Sequence, residues 1–304
     1  MGIEEQIVNI LSITLQIFIP IALAAIAGAI SERSGVINLG LEGMMLVGAF
    51  AGAYGSYKTG NPYLGVLIAV FLCSLMGLLH GFFCIKLKAH QSVIGVGINI
   101  FSSGLTAVLL KLIWSNEGMS PIVNTLPNIT IPILNKIPIL RSFFINQSMF
   151  LYVTIIIAVL AYIIIYRTKY GLRLRAIGDN PQAAQTAGIN IHKYRYVAVL
   201  ISGIIAGLGG SYLSISLNNL FVKDMVAGRG FMGLAANIFG GWHPIGSLIA
   251  SFIFSLAQAF RFSLTSLNIP NQFVEMIPYI VTLIVLIVAK RKSKAPEALG
   301  ENEI

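Results

Sequence analysis

Charged side chains are scarce in this chain. Only 10% of its 304 residues are Asp, Glu, Lys or Arg, while 56% are hydrophobic, and the mean hydropathy is +0.84. A soluble domain carries about 25% charged residues, so an ordinary solvated surface is excluded. Cysteine is nearly missing. Cys73 and Cys84 lie in one apolar run, a spacing that suits neither a disulfide framework nor a metal knuckle, and they read as small buried hydrophobes. The four histidines (80, 90, 192 and 243) are scattered, which argues against a metal site. Nucleotide and catalytic signatures are missing too: there is no GxxxxGK[ST] phosphate loop, HExxH or GxSxG. Gly228-Arg-Gly230-Phe-Met-Gly233 matches GxGxxG, but no strand precedes it and its flanks are membrane-like, so the dinucleotide reading fails on context. No Lys or Arg precedes the first apolar run, which follows Glu4 and Glu5. A cleavable signal peptide wants a basic start, so residues 7–30 are expected to be a retained span.

Long apolar runs are what the chain has. Candidate spans fall near 7–30, 36–57, 62–85, 93–114, 148–166, 196–216, 244–264 and 272–289, each near the ~20 residues a bilayer needs. With a shorter glycine-rich piece at 228–242, the expectation is about eight to ten membrane segments in one all-α, polytopic helical membrane domain over 1–304. A barrel would show alternating segments of about ten residues instead. Broken or re-entrant pieces are expected near 35–43 and 228–242, where glycines crowd polar residues.

Orientation follows the cations. Residues 167–195 hold six Lys or Arg and the KRKSK run at 290–294 holds four, so both 167–195 and the tail 290–304 should be cytoplasmic, with the turn Lys86–His90. The proline-interrupted loop 115–147 then falls outside. The N-terminus is outside if 36–57 is one full span and inside if that segment is broken. The net charge of +9 is thereby explained by cations flanking spans, not by nucleic acid. Gly48/Gly52 and Gly203/Gly207 mark close helix packing.

Two groups of residues stand out. The first lies inside apolar stretches: Asn38, Glu42, Asn99 and Asn237. An acid at mid-membrane costs about 2.5–3.5 kcal/mol on insertion scales, so it faces a cavity or a partner. One reading is a polar route for a neutral, hydrogen-bonding solute. The other is that Glu42 pairs with Arg33 and only fixes the fold. Asn38 and Glu42 would share a face if the stretch is helical. Asn99 reads as packing, and Glu275 as interfacial.

The second group is the basic interruption Gly171–Arg195. Asp179 or Asn180 can cap a short helix, Pro181 fits its first position, and Gly188 can close it. Residues 181–187 would make about two turns, roughly 10 Å long, with Ala183, Ala184 and Ala187 as a small-residue surface. This is either an ordinary cytoplasmic loop or a knob built to press into a groove on another protein.

SERSGVINLGLEGMMLVGAF (31–50), GLRLRAIGDNPQAAQTAGIN (171–190) and GRGFMGLAANIFGGWHPIGS (228–247) together resemble the membrane-embedded permease of an ABC importer. The branch is the one serving simple sugars, nucleosides and branched-chain amino acids, and the wording is most similar to nucleoside (guanosine-type) permeases. The resemblance spans about residues 15–290. It implies a multi-pass protein of the cytoplasmic membrane that is not itself an enzyme and binds no cofactor, the ATP being used by partner ATPase subunits. It also implies a second permease subunit, often a different paralogue, and an extracytoplasmic substrate-binding lipoprotein or periplasmic protein. It assigns Arg173 to Gly188 to ATPase coupling, with Arg175, Gly178, Asp179, Asn180, Pro181, Ala183 and Ala184 inside that block. It places Gly35–Gly43 and Gly230–Gly241 near the translocation path. Sugar permeases usually carry Asp where this chain has Asn38, which favours the nucleoside or amino-acid branches. A sugar or branched-chain amino-acid importer is the alternative within the family. A proton-driven secondary transporter, using Glu42 or Glu275, is the alternative outside it. Because a nucleoside is neutral, Glu42 is expected to be structural or to gate the path, not to grip solute.

Overall fold

The computed structural model describes residues 3–130, 146–264 and 294–301. The expected span at 272–289, Glu275 and the first four residues of the basic tail lie outside the described residues. The rest is a bundle of helices, with only a two-residue antiparallel pair, β1 (Asn128–Ile129) and β2 (Gln147–Ser148), as sheet. α1 runs from Ile3 to Glu32 and α2 from Leu41 to Thr59. α3 (Pro62–Gly81) continues through a widened helical turn, Phe82–Lys86, and α4 spans Gln91–Trp114. After the sheet come α5 (Met149–Arg167), α6 (Lys169–Asp179) and α7 (Pro181–Thr186). α8 (Ile191–Ser211) continues through a second widened turn, Tyr212–Leu217, and is followed by α9 (Arg229–Phe239) and α10 (Pro244–Leu264).

Helix ends follow local chemistry. Asn61 accepts from the Tyr63 N–H ahead of Pro62, and Ser148 from the Phe150 N–H, so α3 and α5 each start on a capping side chain. α2 stops at Gly60, which takes the left-handed conformation with φ 68°.

Five described helices are long and apolar enough to cross a membrane: Gln6–Glu32, Pro62–Lys86, Gln91–Trp114, Met149–Arg167 and Ile191–Leu217. The chain is a polytopic helical membrane protein. Burial sorts the five into two kinds. The spans of α1 and α8 are 72% and 78% buried, whereas those of α3, α4 and α5 are 28–33% buried. With large apolar side chains such as Phe71, Ile100 and Ile156 on their exposed faces, and exposed cations only toward their ends at Lys86, Lys111 and Arg167, the outer three are suited to contact lipid or another helix. The inner two approach their neighbours through small residues. A Cβ on Gly48 would sit 3.0 Å from the Gly207 Cα, so the expected glycine packing brings α2 onto α8.

The segment 118–123 pairs with 219–223 through backbone hydrogen bonds such as Ser120 N to Phe221 O, 2.9 Å. Asn124 Nδ2 donates to Gly60 O nearby at 2.8 Å. These mark one end of the bundle. At the other, basic end, Gly178 lies against the backbone carbonyl of Arg33. α1 therefore runs toward the basic end, and its first residues lie at the end opposite to 167–195.

The chain is interrupted at both expected places. Residues 33–40 leave the helix, with Gly35 at φ 87°, and three polar groups hold the break. Ser31 Oγ donates to Val36 O (2.7 Å), Ile37 N donates to Gln91 Oε1 (2.7 Å), and His80 Nε2 lies 3.0 Å from Ile37 O. Asn38 therefore precedes α2 and does not share a helical face with Glu42, as a continuous helix would require. α9 has 11 residues, about 16 Å at the usual rise, roughly half the hydrocarbon thickness.

Candidate functional site

α9 is held at each end by a carboxylate from an earlier helix. At its N-terminal end Glu42, in the first turn of α2, accepts from Gly228 N at Oε1 and from Gly230 N at Oε2, both at 2.7 Å. The free N–H groups of a helix start need acceptors, and the helix dipole favours a negative charge there. Between the two glycines, Arg229 turns back and donates to Met225 O (2.9 Å) and Val226 O (3.1 Å).

The GxGxxG spacing has a steric explanation here. Gly228 sits at φ 82°, a Cβ on Gly230 would stand 2.7 Å from the Glu42 backbone, and one on Gly233 would run into Ala24. The three glycines let α9 close on α1 and α2; they cradle no phosphate.

At the C-terminal end the acceptor is Glu32, the last residue of α1 and 5% exposed. It accepts from Asn237 Nδ2 at 2.9 Å and, more closely, from Trp242 Nε1. Asn237 Oδ1 in turn accepts from Ser247 Oγ on α10 (3.3 Å). Arg33 donates to Trp242 O (2.8 Å) and Gly241 O (3.1 Å), placing a cation where the carbonyls of a helix end accumulate negative charge. The Glu42–Arg33 pair considered from the sequence is thus not formed. Glu42 and Arg33 serve opposite ends of one helix dipole.

The other two asparagines support the α1–α2 break. Asn99 Nδ2 donates to Leu39 O (2.9 Å) and its Oδ1 accepts from Gly43 N (2.8 Å), so one amide of α4 bridges the start of α2. Asn38 is fully buried and donates to Ser202 Oγ at 3.1 Å, with its Oδ1 unpartnered. Asn38, Glu42, Asn99 and Asn237 each bond to other groups of the chain. They pin two broken segments, with α4, α2 and the start of α9 meeting where Ser103 Oγ also donates to Asp224 (2.7 Å).

The basic interruption folds as α6 and α7. Of the two candidate caps Asn180 is the one used: its Oδ1 accepts from Ala183 N at 2.9 Å, while Asp179 ends α6. Pro181 opens α7 and Gly188 lies past its end at φ 76°. Ala183 is exposed, but Ala184 is buried with Ile177 and Ile191. Ala184 packs into its own scaffold, because the turns at Asn180 and at 187–190 fold α6, α7 and the start of α8 together around Ile177, Ala184 and Ile191.

The arginines divide likewise. Arg173 is exposed and donates to Tyr194 OH (3.2 Å), whereas Arg175 turns inward, 4.9 Å over the Tyr166 ring. The Tyr166 ring lies tilted against His243, in the turn between α9 and α10, at 4.6 Å between centroids and 37° between planes. Tyr170 stacks on Tyr194 at 4.9 Å, and burial, followed by the neighbouring Tyr194, pushes its hydroxyl up to about 12. A cavity of about 530 Å³ lies beside this stack, lined by Arg173, Gly188, Asn190 and Lys193 among others.

Glu32, Arg33 and Trp242 were not among the residues singled out for the path. Glu32 and Arg33 stand as an acid and a base side by side at the end of an apolar run, which reads as an interfacial pair. Only the fold shows that Glu32 points back into the bundle.

Against known proteins, the family described as branched-chain amino acid transport system, permease component, matches residues 9–286. The chain is 36% identical over 299 residues to the nucleoside ABC transporter permease protein NupC of Lactococcus lactis, covering 94% of this chain and 93% of that one. It is 38% identical over 310 residues to the guanosine ABC transporter permease protein NupQ of Bacillus subtilis, covering 97% of each. A second guanosine permease protein of B. subtilis, NupP, is 26% identical over 286 residues, covering 91% and 80%. No solved structure matches. With a match across nearly the whole chain, and with the broken helices and capped basic segment in place, the protein belongs to this family of ABC transporter permease components and is a multi-pass protein of the cytoplasmic membrane.

Proposed function

We propose that the chain is the translocating subunit of an ATP-driven nucleoside importer. The observation that carries this is the near full-length similarity to permeases named for nucleosides and guanosine, together with the neutral, hydrogen-bonding character of the site. Both carboxylates are engaged as acceptors of N–H groups within the chain, which suits a neutral solute better than a cation. ATP is bound and hydrolysed by separate ATPase subunits, and an extracytoplasmic binding protein delivers the solute.

The α6–α7 unit is the coupling segment. Ala183, Gln182 and Gln185 face outward from it, while Gly178 and Ala184 anchor it to the bundle. A second permease subunit completes the path. The exposed flank of α4, with Phe101, and the exposed Phe231 of α9 would face it, offering aromatic surfaces to a base. B. subtilis carries two guanosine permease proteins similar to this chain, which supports a heterodimer of paralogues. The basic end is then cytoplasmic.

The test is uptake of labelled guanosine by proteoliposomes holding both permeases, the ATPases and the binding protein. Uptake should require internal ATP and survive a proton ionophore. Uptake that persists without ATP and collapses with the proton gradient would overturn the reading, and competition by glucose or leucine but not by nucleosides would overturn its substrate.

A further inference from the structure

Residues 296–301 fold back across the basic end and join two elements, the end of α6 and the α1–α2 break, that also meet where Gly178 lies against the Arg33 carbonyl. Ala298 N donates to Gly178 O, at the end of α6, at 2.9 Å; two residues on, Gly300 N donates to Gly35 O, in the α1–α2 break, at 3.0 Å. Leu299 N and Glu301 N close tight turns onto Pro296 O (3.1 Å) and Ala298 O (3.3 Å), so the segment is compact, not trailing. Ala298 is 3% exposed. Gly300 takes φ +83°, and a Cβ there would lie 2.9 Å from Ile37 Cδ1. Buried Arg195, at the start of α8, donates to Ser34 O at 3.1 Å and is acted on by the charge of Glu301. The break, the coupling segment and this tail thus share one node.

We propose that residues 296–301 are a strap that carries displacement of the coupling segment into the α1–α2 break, and so to Asn38 and Glu42. Backbone groups at Gly178 and Gly35, both bonded to the same pair of tight turns, cannot separate without breaking one of these hydrogen bonds. The strap rests on the transport reading only in taking α6–α7 as the part an ATPase moves.

The test uses the complete transporter. Ala298→Pro removes the N–H given to Gly178, and Gly300→Val places a branched side chain where φ is positive. In both, ATP hydrolysis should stay within about twofold of the unaltered complex while uptake falls about tenfold, inside the usual range of coupling factors. Labelling of a thiol at Leu39→Cys, read against buried Cys73 and Cys84, should respond to nucleotide trapping in the parent and lose that response in both variants. Unchanged uptake per ATP with the labelling response kept would overturn the strap. So would an equal loss of hydrolysis and uptake, which would make the tail an ATPase-docking or folding element. If the parent complex takes up no nucleoside, the substrate reading is at fault, and the labelling response, which needs no solute, still decides the strap.

Discussion

The two ends of α9 are held by the same functional group in different surroundings. At the N-terminal end, Glu42 is half-buried and accepts only backbone N–H groups. At the C-terminal end, Glu32 is buried and accepts only side-chain donors, Asn237 and Trp242. Backbone donors exist whatever the sequence, so the Glu42 end depends on glycines that allow close approach. The Glu32 end depends on particular side chains. Water can replace a lost bond at a partly exposed carboxylate but not at a buried one, so the Glu42 end is the less costly of the two to release. A short helix anchored firmly at its Glu32 end and loosely at its Glu42 end can swing about the firm end.

The most severe break in that comparison is Glu32→Ala. It strands the indole N–H of Trp242 and the amide of Asn237 in a buried site, at roughly 1–3 kcal/mol for each unsatisfied donor. The solubilised protein should show a large fall in thermal midpoint, with little folded material recovered. Near-normal thermal stability would mean that α9 does not depend on this end. Gly230→Ala comes next. Its methyl would meet the Glu42 backbone at 2.7 Å, and overpacking of this kind costs about 1–3 kcal/mol. The N-terminal end of α9 would be pushed off α2, so uptake should fall more than stability does. Parallel losses in the two would argue against a loosely held end.

Much of this architecture is legible in the chain itself. Hydropathy alone marks α1, α3, α4, α5 and α8, because a bilayer demands long apolar runs, and the Asn180-Pro181 start with Gly188 beyond it outlines α7. Glu42 stands out because its neighbours are apolar. Its partners do not, since a backbone N–H leaves no side-chain signal and the glycines that expose it mimic a phosphate loop. Glu32 is hidden for the opposite reason: it has an arginine beside it, and its true partner, Trp242, lies 210 residues away. The inward turn of Ala184 is not legible, because Ile177, Ala184 and Ile191 lie on three helices that only the turns between them bring together. Nor is the strap, because it is made of backbone hydrogen bonds from a tail whose composition signals only charge.

Two milder substitutions sharpen the contrast at the looser end. Glu42→Gln keeps one carbonyl acceptor but turns an NH₂ toward a backbone N–H, losing one charge-assisted bond worth about 1.5–3 kcal/mol before water compensates. If Glu42 holds α9 and does not grip solute, maximal uptake should drop while the solute concentration for half-maximal uptake stays put. A large rise in that concentration, or abolished uptake in a normally assembled complex, would put Glu42 in contact with solute instead.

Gly228→Ala should be the smallest effect. Nothing lies within 4 Å of the added methyl, so no neighbour must move. The cost is the left-handed backbone alone, about 1–2 kcal/mol for a non-glycine residue. Because that strain acts on the residue whose N–H caps onto Glu42, it should weaken the Glu42 anchor without touching the Glu32 end. Hydrogen exchange of the α9 amides would then rise at the Arg229 end and not near Asn237. Uniformly faster exchange along α9 would mean that its two ends let go together, and the pivot would have to be abandoned.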